Sequence, residues 1–334
     1  MQVRKETIGT IIWVAKTIAY TFAEIITAIT VAFILIHEMP GNPYLLVLYS
    51  LLRKDVPLEQ AKWIAYETVG YNPNVPIIVS WAEYMWNVFH GNLGRSMILK
   101  IPVMNVIAYT APWTISIVSF TLTLAFATGY LIGIYSAHKG GIVDTLINGS
   151  LAFFHSIPSY ILATVFLLIF SVDLKLVPLS GWASVAPSLS IGFILNLLHH
   201  LILPITTYYL LIFPSWVFGT RSLAVSITNE DYVLVAKARN LPDKRILWSY
   251  IGKNALLPQL TALLYSYGIM FGSSTFIEGI FGIPGLGSEL GSAAGARDYT
   301  LTIGIFLILI IAVILGNLIA DLSYGIIDPR VRSS

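Results

Sequence analysis

The residues of this chain that could carry chemistry are few, and most stand inside long apolar runs. Glu24 is one; an acid at membrane depth is either a functional group or a partner within a helix bundle. A second group is His155-Ser156-Ile157-Pro158-Ser159. Pro158 frees a backbone carbonyl, which Ser156, Ser159 or His155 can satisfy; the same side chains can instead line a polar path. A third is Ser273-Ser274-Thr275, followed closely by Glu278. Metal binding finds little support. No second His or carboxylate lies at ligand spacing from His155 on the same helix, and the adjacent His199 and His200 diverge around a helix. Gly91-Asn92-Leu93-Gly94 is not followed by the Lys-Ser/Thr pair of a phosphate loop. No Ser-His-Asp set or carboxylate pair stands out within one loop. The chain has no cysteine, which removes thiolate nucleophiles, thiolate metal sites and disulfides. What remains is lining chemistry: small hydroxyls and an acid facing neighbours or water.

Composition sets the elements that must position these groups. Apolar residues make up 56% of the 334 and charged residues 11%, against roughly 25% charged in soluble domains. The mean hydropathy of +0.78 agrees. This describes an all-α polytopic membrane protein, and a net charge of +2 gives no reason to expect nucleic acid. Six transmembrane helices are predicted, at about residues 17–36, 113–137, 146–170, 201–220, 256–277 and 301–322, enough to cross a core of roughly 30 Å. Residues 1–16 mix Arg4, Lys5 and Lys16 with Ile8, Ile11, Ile12, Trp13 and Val14, which suits a helix lying on the membrane surface. Residues 37–111 read as an extracellular cap region, mostly aqueous and rich in aromatics. Residues 112–334 read as the core, carrying five of the spans and a polar loop at 221–255. Residues 187–199 are apolar but broken, too short for a separate crossing. Gly129 and Gly133 have the spacing that lets helices approach closely.

The longest polar interruption between late spans is Thr228–Pro258. It reads as a short helix, a tight turn and a second helix. Thr228 or Asn229 can cap the start, with Glu230 and Asp231 in the first turn and Lys237 and Arg239 in the last, as the helix dipole favours. Asn240 stands where the chain should turn left-handed, and Pro242 forbids continuation of the first helix. Six of the 19 Lys/Arg fall in residues 218–255. With those of the N-terminus, the turn at Lys139 and the C-terminus, they put twelve on one side of a six-span topology, which is then the cytoplasmic side.

Asp231-Tyr232-Val233, Ala236-Lys237-Ala238-Arg239-Asn240-Leu241 and Asn254-Ala255-Leu256-Leu257-Pro258 together resemble the signature loop of ATP-binding-cassette importer permeases. Within these the chain looks most like the dipeptide/oligopeptide/nickel family, with Asn240 at the family's usual turn glycine. Further strings follow in the family's order. Pro40-Gly41-Asn42-Pro43 and Gly91-Asn92-Leu93-Gly94-Arg95-Ser96 each carry Asn for the family's Asp. Ser156-Ile157-Pro158-Ser159, Leu176-Val177-Pro178 with Ser180-Gly181, Glu278 to Gly287, Arg297-Asp298-Tyr299 and Asp328-Pro329-Arg330 complete the set.

The resemblance implies an N-terminal elbow helix before the first span and a cytoplasmic coupling helix that docks on an ATPase subunit through Asp231, Tyr232, Val235, Ala236, Ala238, Arg239 and Asn240. It implies a second, paralogous permease subunit, two ATPase subunits that hold ATP and Mg, and an extracellular solute-binding protein. The chain itself would hold no cofactor. It would sit in the cell membrane of a prokaryote with both termini cytoplasmic. Ser156, Ser159, Ser273, Ser274 and Glu278 are then candidates for the path. The relatives implied carry dipeptides, oligopeptides, nickel or oligosaccharides, and peptides are the first expectation here. Two other readings differ in class. A secondary transporter would need coupling-ion carboxylates within the spans, for which only Glu24 and Asp321 qualify. An intramembrane enzyme would need a catalytic set, and none is apparent.

Overall fold

The computed structural model describes residues 2–38, 42–70, 75–269 and 275–327, and every long element among them is helical. The chain opens with α1 (Gln2–His37) and three shorter helices, α2 (Pro43–Leu52), α3 (Leu58–Val69) and α4 (Ile77–Phe89). Then come α5 (Val103–Lys139), α6 (Gly141–His155) and α7 (Ser159–Phe166), the last continued by a π-helical stretch, Leu167–Asp173. α8 (Ile191–Thr228) leads to the short α9 (Asp231–Ala238). α10 (Asp243–Arg245) passes through a second π-helical stretch, Ile246–Gly252, into α11 (Lys253–Ile269). α12 (Thr275–Phe281), α13 (Leu286–Gly295) and α14 (Tyr299–Ile327) complete the described chain.

Four stretches among the described residues are long and apolar enough to cross a membrane: Gly9–His37, Val103–Lys139, Ile191–Thr228 and Tyr299–Ser323. A fifth arises if α6 and α7, bent by 93° at their junction, count as one span. The bend falls where Pro158 takes an extended backbone (ψ 139) and caps α7. The span expected at 256–277 is represented by α11, 17 residues long; residues 270–274 of that expectation lie outside the described set.

Two expectations need correction. The elbow helix expected over 1–16 is not a separate element, because α1 is continuous from Gln2 through the first span. Between Val14 and Phe22 the sequence offers neither proline nor glycine to break it. Likewise 191–199 joins the fourth span without interruption, capped by Ser190, whose Oγ accepts the Phe193 amide at 3.2 Å. Pro204 and Pro214 are both absorbed inside that helix.

The described chain forms two compact units, Met1–Thr114 with Gly285–Ser334, and Ile115–Pro284. In the first, α1 packs along α14, with Ile29 and Phe33 of α1 and Leu301, Ile305 and Leu307 of α14 all buried. The indole of Trp81 on α4 donates to Thr30 Oγ1 at 3.1 Å, tying the cap helices to α1. Gly94 holds φ +78, and a Cβ there would sit 2.5 Å from the Thr68 carbonyl oxygen, so the tight backbone path read from the glycines is real. In the second unit the Gly129/Gly133 spacing serves α5 against α8. A Cβ at Gly133 would lie 2.7 Å from the Thr220 Cβ and from the Val217 carbonyl oxygen. Only a helix face without side chains permits that approach.

Candidate functional site

The basic loop is built from the end of α8 upward. α8 runs to Thr228, whose hydroxyl donates to the Ala224 carbonyl at 2.7 Å, and Asn229 closes that helix. Thr228 and Asn229 therefore terminate α8 rather than cap α9, which corrects the sequence reading. With neither glycine nor proline between Arg221 and Thr228, α8 has no reason to stop earlier. Glu230 alone is extended (φ −71, ψ 144), and α9 starts at Asp231 with that carboxylate in its first turn.

An eight-residue helix is marginal by itself. α9 is held by Val233, fully buried, and Ala236, only 2% exposed. Both pack into a cluster with Ile134, Ala224, Ile246, Leu247 and Ile251. Its end is fixed by a left-handed residue. Asn240 has φ 53, the Asn240 amide donates to the Lys237 carbonyl at 2.9 Å, and the Leu241 amide donates to the Ala236 carbonyl at 3.3 Å. That pair of bonds is a Schellman closure, and Leu241 supplies the apolar contact that accompanies it by packing on the same cluster.

Positions 233 and 236 share one face, so the remainder of α9 points away from the cluster. Asp231, Tyr232, Val235, Ala238, Arg239 and Asn240 are all exposed. Ala236 is the exception among the residues expected to dock, since it faces this chain's own core. Leu234 was missed and belongs with the exposed set; the helical period alone would have found it, opposite Val233 and Ala236. Tyr232, Leu234 and Val235 are 41%, 49% and 57% exposed, so α9 presents three large apolar side chains amid charge. Burial, then the charge of Glu230, pushes the Tyr232 phenol up, while a hydrogen bond with Asn254 lowers it. That contact joins the Asp-Tyr-Val and Asn-Ala-Leu-Leu-Pro strings in space.

Beneath this loop the helices are clasped. Arg221 on α8 donates from Nε and Nη2 to the two carboxylate oxygens of Asp144 on α6, each at 2.5 Å. Ser136 on α5 and Asn148 on α6 donate to Asp144 Oδ1 at 2.6 and 2.8 Å. A bidentate pair with two further donors is the geometry in which an ion pair holds helices in register.

The path candidates are dispersed. Ser156 closes α6, is exposed, and donates to the Ala152 carbonyl at 2.8 Å. Ser159 opens α7 on the other side of the 93° bend, half-buried. The backbone amide of Ile157 donates to Phe154, the residue whose carbonyl Pro158 deprives of its usual partner. Ser273 and Ser274 lie outside the described residues. Glu278 on α12 is 1% exposed and enclosed where α12 packs on α7 and α8. His199 Nε2 lies 2.8 Å from the Leu176 carbonyl, and His200 is buried with its nitrogens at Asn196 and Ser184, so the two rings do turn apart.

Residues 129–333 match the family described as "Binding-protein-dependent transport system inner membrane component". The match covers more than half of the chain and includes the whole of the basic loop. The chain belongs to that family. The dipeptide transport system permease protein of Escherichia coli (strain K12) is 30% identical over 326 residues, covering 92% of this chain and 94% of the relative. A "Putative peptide transport system permease protein" of Brucella abortus (strain 2308) is 29% identical over 328 residues, covering 96% and 98%. This inner-membrane component is thus a prokaryotic permease of the ATP-binding-cassette type, a transport component rather than an enzyme.

Proposed function

We propose that this permease forms half of the translocation path of an ATP-driven importer for di- and oligopeptides, handed over by an extracellular solute-binding protein. A second, paralogous permease would supply the other half, and two ATPase subunits would bind ATP and Mg. The chain would cross the membrane six times, with α6 and α7 as one crossing and 256–277 as another, and with both termini in the cytosol. α9 would be the coupling helix. The observation that carries this reading is the two-faced character of α9, anchored inward by Val233 and Ala236 while Tyr232, Leu234 and Val235 stand exposed. A helix that short, presenting an apolar face beside basic residues, suits insertion into a groove of a partner. The names of the relatives support peptides as the cargo. ATP-driven closure of the ATPase pair would then shift the two bundles between inward and outward states, through its higher affinity for one of them.

Co-expression with the ATPase subunits tests this. Wild-type chain should retain the ATPases through purification. Val235→Arg should release them and abolish ATP-dependent peptide uptake while the chain still folds, as judged by an unchanged melting temperature. Retention of the ATPases by that variant, with uptake intact, would remove α9 from the docking role.

A further inference from the structure

A cavity of about 250 Å³ lies directly behind α9. Apolar side chains in its lining include Ile134 from α5, Ala224 from α8 and Ile251 from the π-helical stretch before α11. His138, Thr228, Lys237 and Asp243 line the same cavity. The volume equals roughly eight waters at about 30 Å³ each, just below the smallest drug-sized pockets. Lys237 ends α9 and Asp243 begins α10, so the Schellman turn between them places a cation and an anion on the border of one cavity. They do not close on each other: the ion pairs among the described residues are Lys62–Glu59 and Arg221–Asp144. A lining that mixes apolar side chains with an unpaired ammonium and an unpaired carboxylate is complementary to a small molecule that carries the opposite charges.

We infer that this cavity binds a zwitterion with an apolar body, its carboxylate or phosphate toward Lys237 and its ammonium toward Asp243. Two sources share that chemistry: a short peptide with free termini, or an ethanolamine phospholipid headgroup at the membrane rim. The occupant would touch the cluster that seats α9, namely Ile134, Ala224, Ile246, Leu247 and Ile251. Occupancy would therefore stabilise α9 on its seat. The regulatory meaning of this, a permease sensing accumulated product or lipid, rests on the proposed function; the binding does not.

The test uses the full-length chain alone in nanodiscs of phosphatidylglycerol, which is not zwitterionic, with leucyl-alanine as the probe in equilibrium dialysis. Free leucyl-alanine should bind, and N-acetylation or C-terminal amidation should each weaken it at least tenfold. Lys237→Gln should erase the preference for the free over the amidated peptide, and Asp243→Asn the preference for the free over the acetylated one. Both side chains are exposed, so the variants should melt as wild type does. Adding phosphatidylethanolamine to the discs separates the sources: suppression of peptide binding assigns the site to the headgroup, and unchanged binding assigns it to the soluble zwitterion. No binding in phosphatidylglycerol discs, or capped peptides binding as well as free ones, would overturn the inference. Because no ATPase is present, loss of the docking role of α9 in the co-purification experiment would leave this result standing.

Discussion

Ser96 and Asp298, 202 residues apart in sequence, are bonded to each other in the core of the first unit, the serine hydroxyl donating to the carboxylate. The amides of Met97 and Ile98 donate to the same carboxylate at 3.0 and 3.1 Å, and the Leu301 amide at 3.2 Å. Asp298 is thus at once the cap of α14 and the clamp on the loop after Gly94. Asp298→Ala should leave the Ser96 hydroxyl and three amides without an acceptor. At about 1–3 kcal/mol for each buried group left unsatisfied, the Ser96 hydroxyl and the Leu301 amide alone should bring the loss to at least about 2 kcal/mol. Asp298→Asn, which keeps one acceptor, should cost less. Thermal melting in detergent, with hydrogen exchange at residues 96–98, measures both; wild-type protection in the alanine variant would contradict the clamp.

Asn240 occupies left-handed space without the freedom of glycine. Asn240→Gly should be neutral or slightly stabilising, whereas Asn240→Val should cost on the order of 1 kcal/mol or more, because a β-branched side chain clashes with its own backbone at positive φ. Chemical denaturation of the three proteins side by side decides it. Equal stability of the valine variant would mean that the turn does not persist in solution.

Neighbouring positions on α9 should respond in opposite ways. Ala236 touches the buried cluster and Val235 faces outward. Ala236→Leu should overpack that cluster and cost about 1–3 kcal/mol, while Val235→Leu should change stability by less than about 0.5 kcal/mol. A melting temperature lowered by the second and not by the first would invert the assignment of faces.

Glu289 on α13 gives a pH test. Burial, and then the negative charge of Asp298, push its carboxyl up from the ordinary glutamate value. The folded chain therefore holds this proton more tightly than the unfolded one. Its contribution to stability is complete below the ordinary value of about 4.3 and is lost as pH rises through the higher folded value. Glu289→Gln should remove that loss. The variant's melting temperature should gain on wild type as pH is raised from about 4 to about 7, and a constant difference would show the shift to be absent.

Much of this was legible in the residues, and the rest failed for identifiable reasons. Asn240 was readable because a left-handed turn is local; the cap at Asn42, whose Oδ1 accepts the Tyr44 and Leu45 amides at 3.1 and 3.4 Å, is equally local but was read only as a family position. Gly129 and Gly133 were readable because missing side chains admit one kind of neighbour. The end of α8 was misread, since Thr228 and Asn229 cap a following helix or close a preceding one with the same hydroxyl and amide. The inward face of Ala236 was not readable, because a family string records which residues recur, not which way they face. Asp144 with Arg221, and Ser96 with Asp298, had no signal at all; each pair joins segments whose meeting only the tertiary fold decides.

The junction between α8 and α9 has a mechanical consequence. Only Asn229 and Glu230 separate the two helices, so a load on α9 reaches α8 with little slack. α8 is 38 residues long, about 57 Å at 1.5 Å per residue, but Pro204 and Pro214 each remove a backbone hydrogen bond along it. The unbroken part after Pro214 is about 21 Å, and Arg221 with its grip on Asp144 lies midway along it. Under the proposed docking of α9, the part of α8 after Pro214 would act as a short, stiff crank pivoting at Arg221. Its stroke would then be delivered to α6, and from there to the bend at Pro158, rather than along the whole length of α8.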